Sequence, residues 1–155
     1  MLVVFDHPNG HSEITLNHAP LTVVGIDAGL RSGDLVAIQG IGGLGHLGVQ
    51  FARRMGFRTV AIARGADKAA LAKELGAHHY VDGAAEEPAA ALQRMGGARA
   101  ILATAPSGKA IGQLVAGLGV RGHMLVVAVT SDPLELPSTS PLVFGGRTIS
   151  GVNLR

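Results

Sequence analysis

Three glycines, Gly40, Gly42 and Gly45, stand in a G-x-G-x-x-G pattern within LVAIQGIGGLGHLGVQFARRMG. The chemistry this spacing offers is recognition of a diphosphate by exposed main chain. The first glycine permits a tight strand-to-helix turn, the second lets backbone approach a pyrophosphate, and the third lets the helix pack close to the sheet. A helix that starts here also presents N–H groups without intrahelical partners and a partial positive charge. Glycine-rich turns also arise for steric reasons alone. This one gains weight from its place, between an apolar run and an amphipathic segment.

A second informative position is the end of the next apolar run, where an NAD site puts a carboxylate on the ribose 2′-hydroxyl. Ala63 stands there, followed by Arg64 and, one turn on, Lys68. A 2′-phosphate would meet positive charge, so NADP is the expected cofactor. Asp67 keeps NAD as the alternative, and Arg64 and Lys68 also fit as ordinary solvated charges.

Groups for covalent or proton-transfer chemistry do not assemble. The Tyr-x-x-x-Lys pair of short-chain dehydrogenases is missing, because the single tyrosine, Tyr80, is followed by Ala84 at the lysine position. A methyltransferase would want an acid near Ala63. Asp6, His7, His11, Glu13 and His18 gather near the start, but Pro8, Asn9 and Gly10 keep His7 and His11 from sharing a helix turn. A solvated turn is expected there, with no metal site. His46 fits equally as a cofactor contact and as a polar helix-start residue. Of His78 and His79, one is expected to face solvent and one to pack under a loop. We assign no catalytic residue and no metal ligand.

The elements that must position the glycine loop follow a β-then-α rhythm from Asp34 onward. Leu35–Gln39, Thr59–Ala63, His79–Val81, Ala100–Thr104 and Met124–Val129 read as strands, with 148–152 as a sixth. Their continuous apolar character suits strands covered on both faces. Leu44, Leu47, Gly48, Phe51, Ala52 and Met55 recur with helical period up to Gly56. A second helix is expected with Asp67 as N-cap, ending at Gly76. A third has Glu86, Glu87 and Pro88 at its start and Gly96 and Gly97 at its end. Ser107 can cap a fourth, whose Ile111, Leu114, Val115 and Leu118 lie on one face before Gly119. Residues 131–146, with Pro133, Pro137 and Pro141, read as an extended loop or short edge element.

At 155 residues the chain has room for one core, and its 47% hydrophobic content against 15% charged sets it apart from a disordered chain. The net charge of +2 comes from scattered side chains and leaves no basic stripe for a nucleic acid backbone. Met1–Phe5 is apolar, but Asp6, His7 and Pro8 end it short of a signal peptide or membrane span. The absence of cysteine fits a reducing compartment, so a cytoplasmic location is expected.

The run GGLGHLGVQFA resembles the zinc-type medium-chain alcohol dehydrogenases, including their cinnamyl-alcohol-like bacterial members. AIARGADKAALAKELGAHHYVD, ILATAPSGKAI and LVVAVTSDPLEL are similar, in order, to that family's second strand through third strand, fourth strand and fifth strand. The likeness runs from about Leu21 to Gly151. It implies a doubly wound α/β Rossmann sheet of about six strands, with helices on both faces. It implies pyrophosphate contacts at Gly42, Gly43 and Leu44, support of the turn by Gly45, and 2′-phosphate or ribose contacts at Arg64 and Lys68. Thr104, Ala105 and Pro106, with Val127, Ala128 and Val129, would line the adenosine-ribose and nicotinamide sides. Ala128 stands where the family commonly has glycine, and its methyl bears on how the nicotinamide sits.

The family's catalytic zinc is held by cysteine and histidine in a domain preceding the Rossmann unit, which this chain has neither the length nor the cysteines to supply. Residues 1–30 are therefore expected to be an irregular segment, a remnant of the link to that domain, and 31–155 the NAD(P)-binding domain. The expected function is the cofactor half of an oxidoreductase that moves hydride between NADP(H) and an alcohol/aldehyde pair, without turnover alone. The competing reading is a non-catalytic nucleotide-binding or assembly module, or a truncated remnant. The resemblance also implies a homodimer through the sheet edge near 142–152, with no nucleic acid or membrane partner.

Overall fold

A computed structural model describes residues 29–151 in full and, before them, the backbone of three strands. These are β1 (Leu2–Asp6), β2 (Ser12–Leu16) and β3 (Ala19–Thr22), an antiparallel sheet in which Leu2 faces Leu16 and Glu13 faces Thr22. Of the N-terminal residues weighed above as ligands, His7, His11 and His18 lie outside the described residues.

The remaining strands are β4 (Leu35–Gln39), β5 (Arg58–Ala63), β6 (His79–Asp82), β7 (Ala98–Ala103), β8 (Leu118–Val126) and β9 (Thr148–Gly151). They form one parallel sheet in the order β6-β5-β4-β7-β8-β9, as the apolar runs led us to expect. All five residues of β4 are buried because helices cover both of its faces. On one face Leu35 and Ala37 join Val60, Ile62 and Val81 under α3 (Pro88–Arg94) and α4 (Gly108–Leu114). On the other, Val36 and Ile38 join Ala61 and Ala100 under α1 (Gly43–Arg54) and α2 (Ala69–Glu74). The alternation of side chains along a strand thus divides the core into two layers.

The strand order places the site. After β4 the chain builds β5 and β6 to one side, then crosses back to lay β7 against the other side of β4. Crossovers diverge at this switch, leaving a crevice at the carboxyl ends of β4 and β7. Gln39 and Ala103 are paired there.

Element boundaries follow the local signals, with three exceptions. Glu87 caps α3, accepting from Ala89 N at 3.2 Å and Ala90 N at 2.6 Å, with Pro88 in the first turn and Glu86 paired with Arg94. Ser107 caps α4 through Ala110 N at 3.3 Å. Asp67, expected to cap the second helix, instead lies inside a 3-10 turn, Ala66–Lys68, and no side chain caps α2. The fifth strand was expected at Met124–Val129; β8 begins at Leu118 and ends at Val126. Its early part pairs with β7 through a register shift between Ala98 and Ala100, where Arg121 has φ 55°. Residues 131–146 hold a short helix, α5 (Ser140–Gly145), closed by Gly146 at φ 56°.

Candidate cofactor-binding site

The glycine turn sits at the crevice. Gly40 leaves β4 at φ 93°, a conformation other residues rarely adopt, and its N–H donates to Ile62 O at 2.8 Å. A Cβ at Gly40 would lie 2.7 Å from Thr104 Oγ1 and 3.2 Å from Ala105 Cβ, so the turns after β4 and β7 touch here. The structure therefore brings Gly40, Thr104 and Ala105 together, with exposed Pro106 beside them.

Gly45 meets the closest restraint: a Cβ there would fall 1.8 Å from Gly40 O. Only a bare Cα lets the first turn of α1 close onto the strand end. Gly42 and Gly43 differ in kind, because a Cβ at either would meet nothing within 4 Å. They are exposed to open space at the tip of α1. Helix α1 carries no side-chain cap and no acidic residue in its first turn, while Arg53 and Arg54 occupy its last. Its opening N–H groups, from Gly43 through Gly45, have no carbonyl one turn behind them to bond. Open space, free donors and an uncompensated positive end fit an incoming diphosphate.

Two residues near the turn take roles the sequence left open or missed. His46 folds back: its N–H and Nδ1 each lie 3.0 Å from Gly42 O, and a carbonyl only accepts, so Nδ1 carries a proton. Gln39 is buried, with Oε1 3.4 Å from Ala105 N. Its carbonyl accepts from Thr104 N at 2.9 Å and from Thr104 Oγ1 at 2.8 Å, tying the two turns. A lone polar residue ending an otherwise apolar strand was the signal for it.

At the end of β5, Ala63 is half-buried, while Arg64 and Lys68 are exposed. The turn between them starts at Gly65, φ 95°, whose N–H donates to Asp82 Oδ1 at 2.8 Å and whose carbonyl accepts from Tyr80 Oη at 2.6 Å. Beyond β8, Val127 is buried and its N–H donates to Ala103 O at 3.1 Å. The half-buried Ala128 packs against the core layer of α3 and α4, and Val129 is exposed. Ala63, Thr104 to Pro106 and Val127 to Val129 thus all follow carboxyl ends of neighbouring strands.

Neither His78 nor His79 lies under a loop; both are exposed. His78 Nδ1 accepts from Thr59 N at 3.0 Å, which fixes the proton on Nε2. Arg53 Nη1, 3.0 Å from that nitrogen, is then a neighbouring charge and not a donor to it. Burial, then Arg53, His79 and Arg58, hold the His78 pKa below its ordinary value. Among the described residues no group of three or more His, Asp or Glu could hold a metal. A cavity of about 310 Å³ opens at the amino ends of the strands, lined by Asp34, Arg58, Arg99 and neighbouring glycines. None of the sequence-expected site residues lines it.

Comparison with known proteins agrees with this fold. Residues 43–155 match the family described as zinc-binding dehydrogenase. The chain is 44% identical over 146 residues to the alcohol dehydrogenase patD of Penicillium expansum, covering 93% of this chain and 42% of that protein. It is also 44% identical over 131 residues to patD of Aspergillus clavatus, covering 80% of this chain and 32% of the relative. Among solved structures it superposes on an alcohol dehydrogenase zinc-binding domain protein from Burkholderia ambifaria with a TM-score of 0.75 at 26% identity, over 90% of this chain and 43% of that one. The chain thus spans less than half the length of these relatives. It belongs to the zinc-binding dehydrogenase family, and what it carries is that family's NAD(P)-binding Rossmann domain.

Proposed function

We propose that this chain binds NADP(H), with the diphosphate at the N-terminus of α1 and the nicotinamide toward Val127–Val129. The observation that carries this is the tip of α1, which combines open space at Gly42 and Gly43 with no acidic or capping side chain. In this reading Gly42, Gly43 and Leu44 present backbone to the diphosphate and Gly45 supports the turn. Arg64 and Lys68 provide charge for the 2′-phosphate. Thr104, Ala105 and Pro106 border the adenosine-ribose side, and Val127, Ala128 and Val129 the nicotinamide side.

Bound NADP(H) supplies hydride chemistry; the residues here bind and orient it. Moving hydride between an alcohol and an aldehyde also needs a Lewis acid or proton relay at the oxygen, and this reading assigns none to the chain. We therefore expect binding without turnover by this chain alone, as the cofactor half of an alcohol dehydrogenase whose zinc resides elsewhere. Absence of cysteine supports a cytoplasmic setting. The exposed edge strand β9 supports a homodimer, which sedimentation mass checks.

The test is titration with NADPH and with NADH, followed by the fluorescence of the reduced nicotinamide. NADPH is expected to bind more tightly. Arg64→Ala is expected to cost NADPH about tenfold, the order of a charge-assisted hydrogen bond, and to leave NADH within about twofold. Equal loss for both cofactors would remove the 2′-phosphate role from Arg64.

A further inference from the structure

The loop carrying Arg64 and Lys68 is held from the neighbouring strand. Tyr80 and Asp82 are two residues apart on β6 and so project to one face. Both reach across to one residue, Gly65, and between them they take both of its backbone groups. Asp82 Oδ1 accepts from Gly65 N at 2.8 Å and from Ala84 N at 2.9 Å; the Tyr80 hydroxyl donates to Gly65 O at 2.6 Å. On the other side of Arg64, Ala63 is paired with Asp82 in the sheet and its carbonyl accepts from Gly83 N at 2.8 Å. Arg64 thus has both chain neighbours fixed while its own side chain is exposed.

Gly65 is held through both of its backbone groups at a place that only a bare Cα fits easily. Its φ of 95° is costly for any residue with a side chain, and a Cβ there would fall 2.4 Å from Asp67 Oδ1. After it the chain enters the 3-10 turn Ala66–Lys68, in which Lys68 N lies 3.4 Å from Gly65 O. The direction of the turn, and with it the start of Lys68, is set by how Gly65 is held.

We propose that Tyr80 and Asp82 are specificity-determining positioning residues, which through Gly65 hold residues 64–68 in the form that presents Arg64 and Lys68 to the 2′-phosphate of NADP(H). The proposal rests on the NADP(H) reading given above. It accounts for a carboxylate beside a site meant for an anion: Oδ1 of Asp82 is occupied by two N–H groups. The N–H groups of Ala84 and Gly65, with the charge of Arg64, hold the Asp82 carboxyl below its ordinary pKa. Burial, with Asp82 and Asp67, raises the Tyr80 phenol above its own, so it remains a donor near neutral pH.

The test compares the ratio of NADPH to NADH dissociation constants in the 155-residue chain and in Tyr80→Phe, Asp82→Ala and Asp82→Asn, with circular dichroism confirming each fold. Tyr80→Phe is expected to lower the NADPH preference by about threefold to tenfold, the range for one lost hydrogen bond. Asp82→Ala is expected to lower it by about tenfold, while Asp82→Asn, which keeps an oxygen acceptor, retains most of it. Both Asp82 variants remove the negative charge, so a purely electrostatic role would make them alike and tighten NADPH binding. That result would overturn the proposal, as would an unchanged ratio in folded Tyr80→Phe and Asp82→Ala. A merely structural role would lower both affinities together and leave the ratio fixed. If the unaltered chain prefers NADH or binds neither cofactor, the NADP(H) reading itself fails and takes this proposal with it. A preference for NADPH that survives every variant defeats the positioning role alone.

Discussion

At the scale of single residues, two glycines of one motif do different work. Gly45 is required by packing, because a methyl there would sit 1.8 Å from Gly40 O and 2.7 Å from its carbon. Backbone on both sides must move, so Gly45→Ala is expected to destabilise by about 3 kcal/mol and lower the melting temperature by roughly 10 °C. Gly42 has ordinary φ of −94° and open space around it, so Gly42→Ala should stay within about 0.5 kcal/mol of the parent in stability. Its NADPH affinity should nevertheless fall, since the methyl would occupy the approach of the diphosphate. Thermal melts and titrations on the pair check this; equal destabilisation would erase the distinction. The glycines were legible in sequence because local spacing states the backbone conformation required. The partners of Gln39, Tyr80 and Asp82 were not, because each is distant in the chain: Gln39 acts on Ala105, 66 residues away, and Asp82 on Gly65, 17 residues away. No local pattern encodes a hydrogen bond across a crossover.

At the scale of elements, boundaries were legible wherever the stop signal is local. Gly56, Gly76, Gly96 and Gly97 all have positive φ and end their helices as the sequence led us to expect. Glu87 and Ser107 begin theirs. The failures have tertiary causes. Leu118 was expected on the fourth helix, before Gly119, yet the chain there is already β8, with Gly122 packed so tightly that a Cβ would lie 2.8 Å from Ala98 O. Asp67 looked like a cap, but Gly65 is held by β6 and the chain enters a 3-10 turn first.

The link between β5 and His78 is expected to give the fold a pH response. The His78 pKa lies below the ordinary imidazole value of 6.5, through burial first and then the charges of Arg53, His79 and Arg58. His123, whose Nε2 lies 2.7 Å from Ser150 Oγ, is lowered by burial in the same sense. The unfolded chain therefore binds more protons than the folded one just below that value. These groups contribute stability fully above pH 6.5, and it is lost as pH falls toward their folded pKa values. The melting temperature is expected to decline from about pH 7 to about pH 5, and His78→Gln should reduce the slope. Asp82 is held below its ordinary 3.8 and does not enter that window. A slope identical in the variant would detach His78 from the response.

At the scale of the whole molecule, the order β6-β5-β4-β7-β8-β9 puts every proposed contact residue at the carboxyl ends of the strands. The cavity bordered by Asp34, Arg58 and Arg99 lies at their amino ends. The alternation of apolar runs and helical patterns made the parallel sheet legible, and with it the carboxyl-end rim where the proposed site lies. Three strands before residue 29 were harder to read, because short antiparallel pairing leaves no βα rhythm. The central claim, a diphosphate on the tip of α1, is tested most directly by amide chemical shifts recorded while NADPH is added to the isotope-labelled chain. The account predicts saturable shifts at Gly42, Gly43, Leu44 and Gly45, with Arg64 and Gly65 following. Shifts confined to Gly33, Gly97 and Gly119 around the opposite cavity, or none at the glycine turn at saturating NADPH, would contradict it.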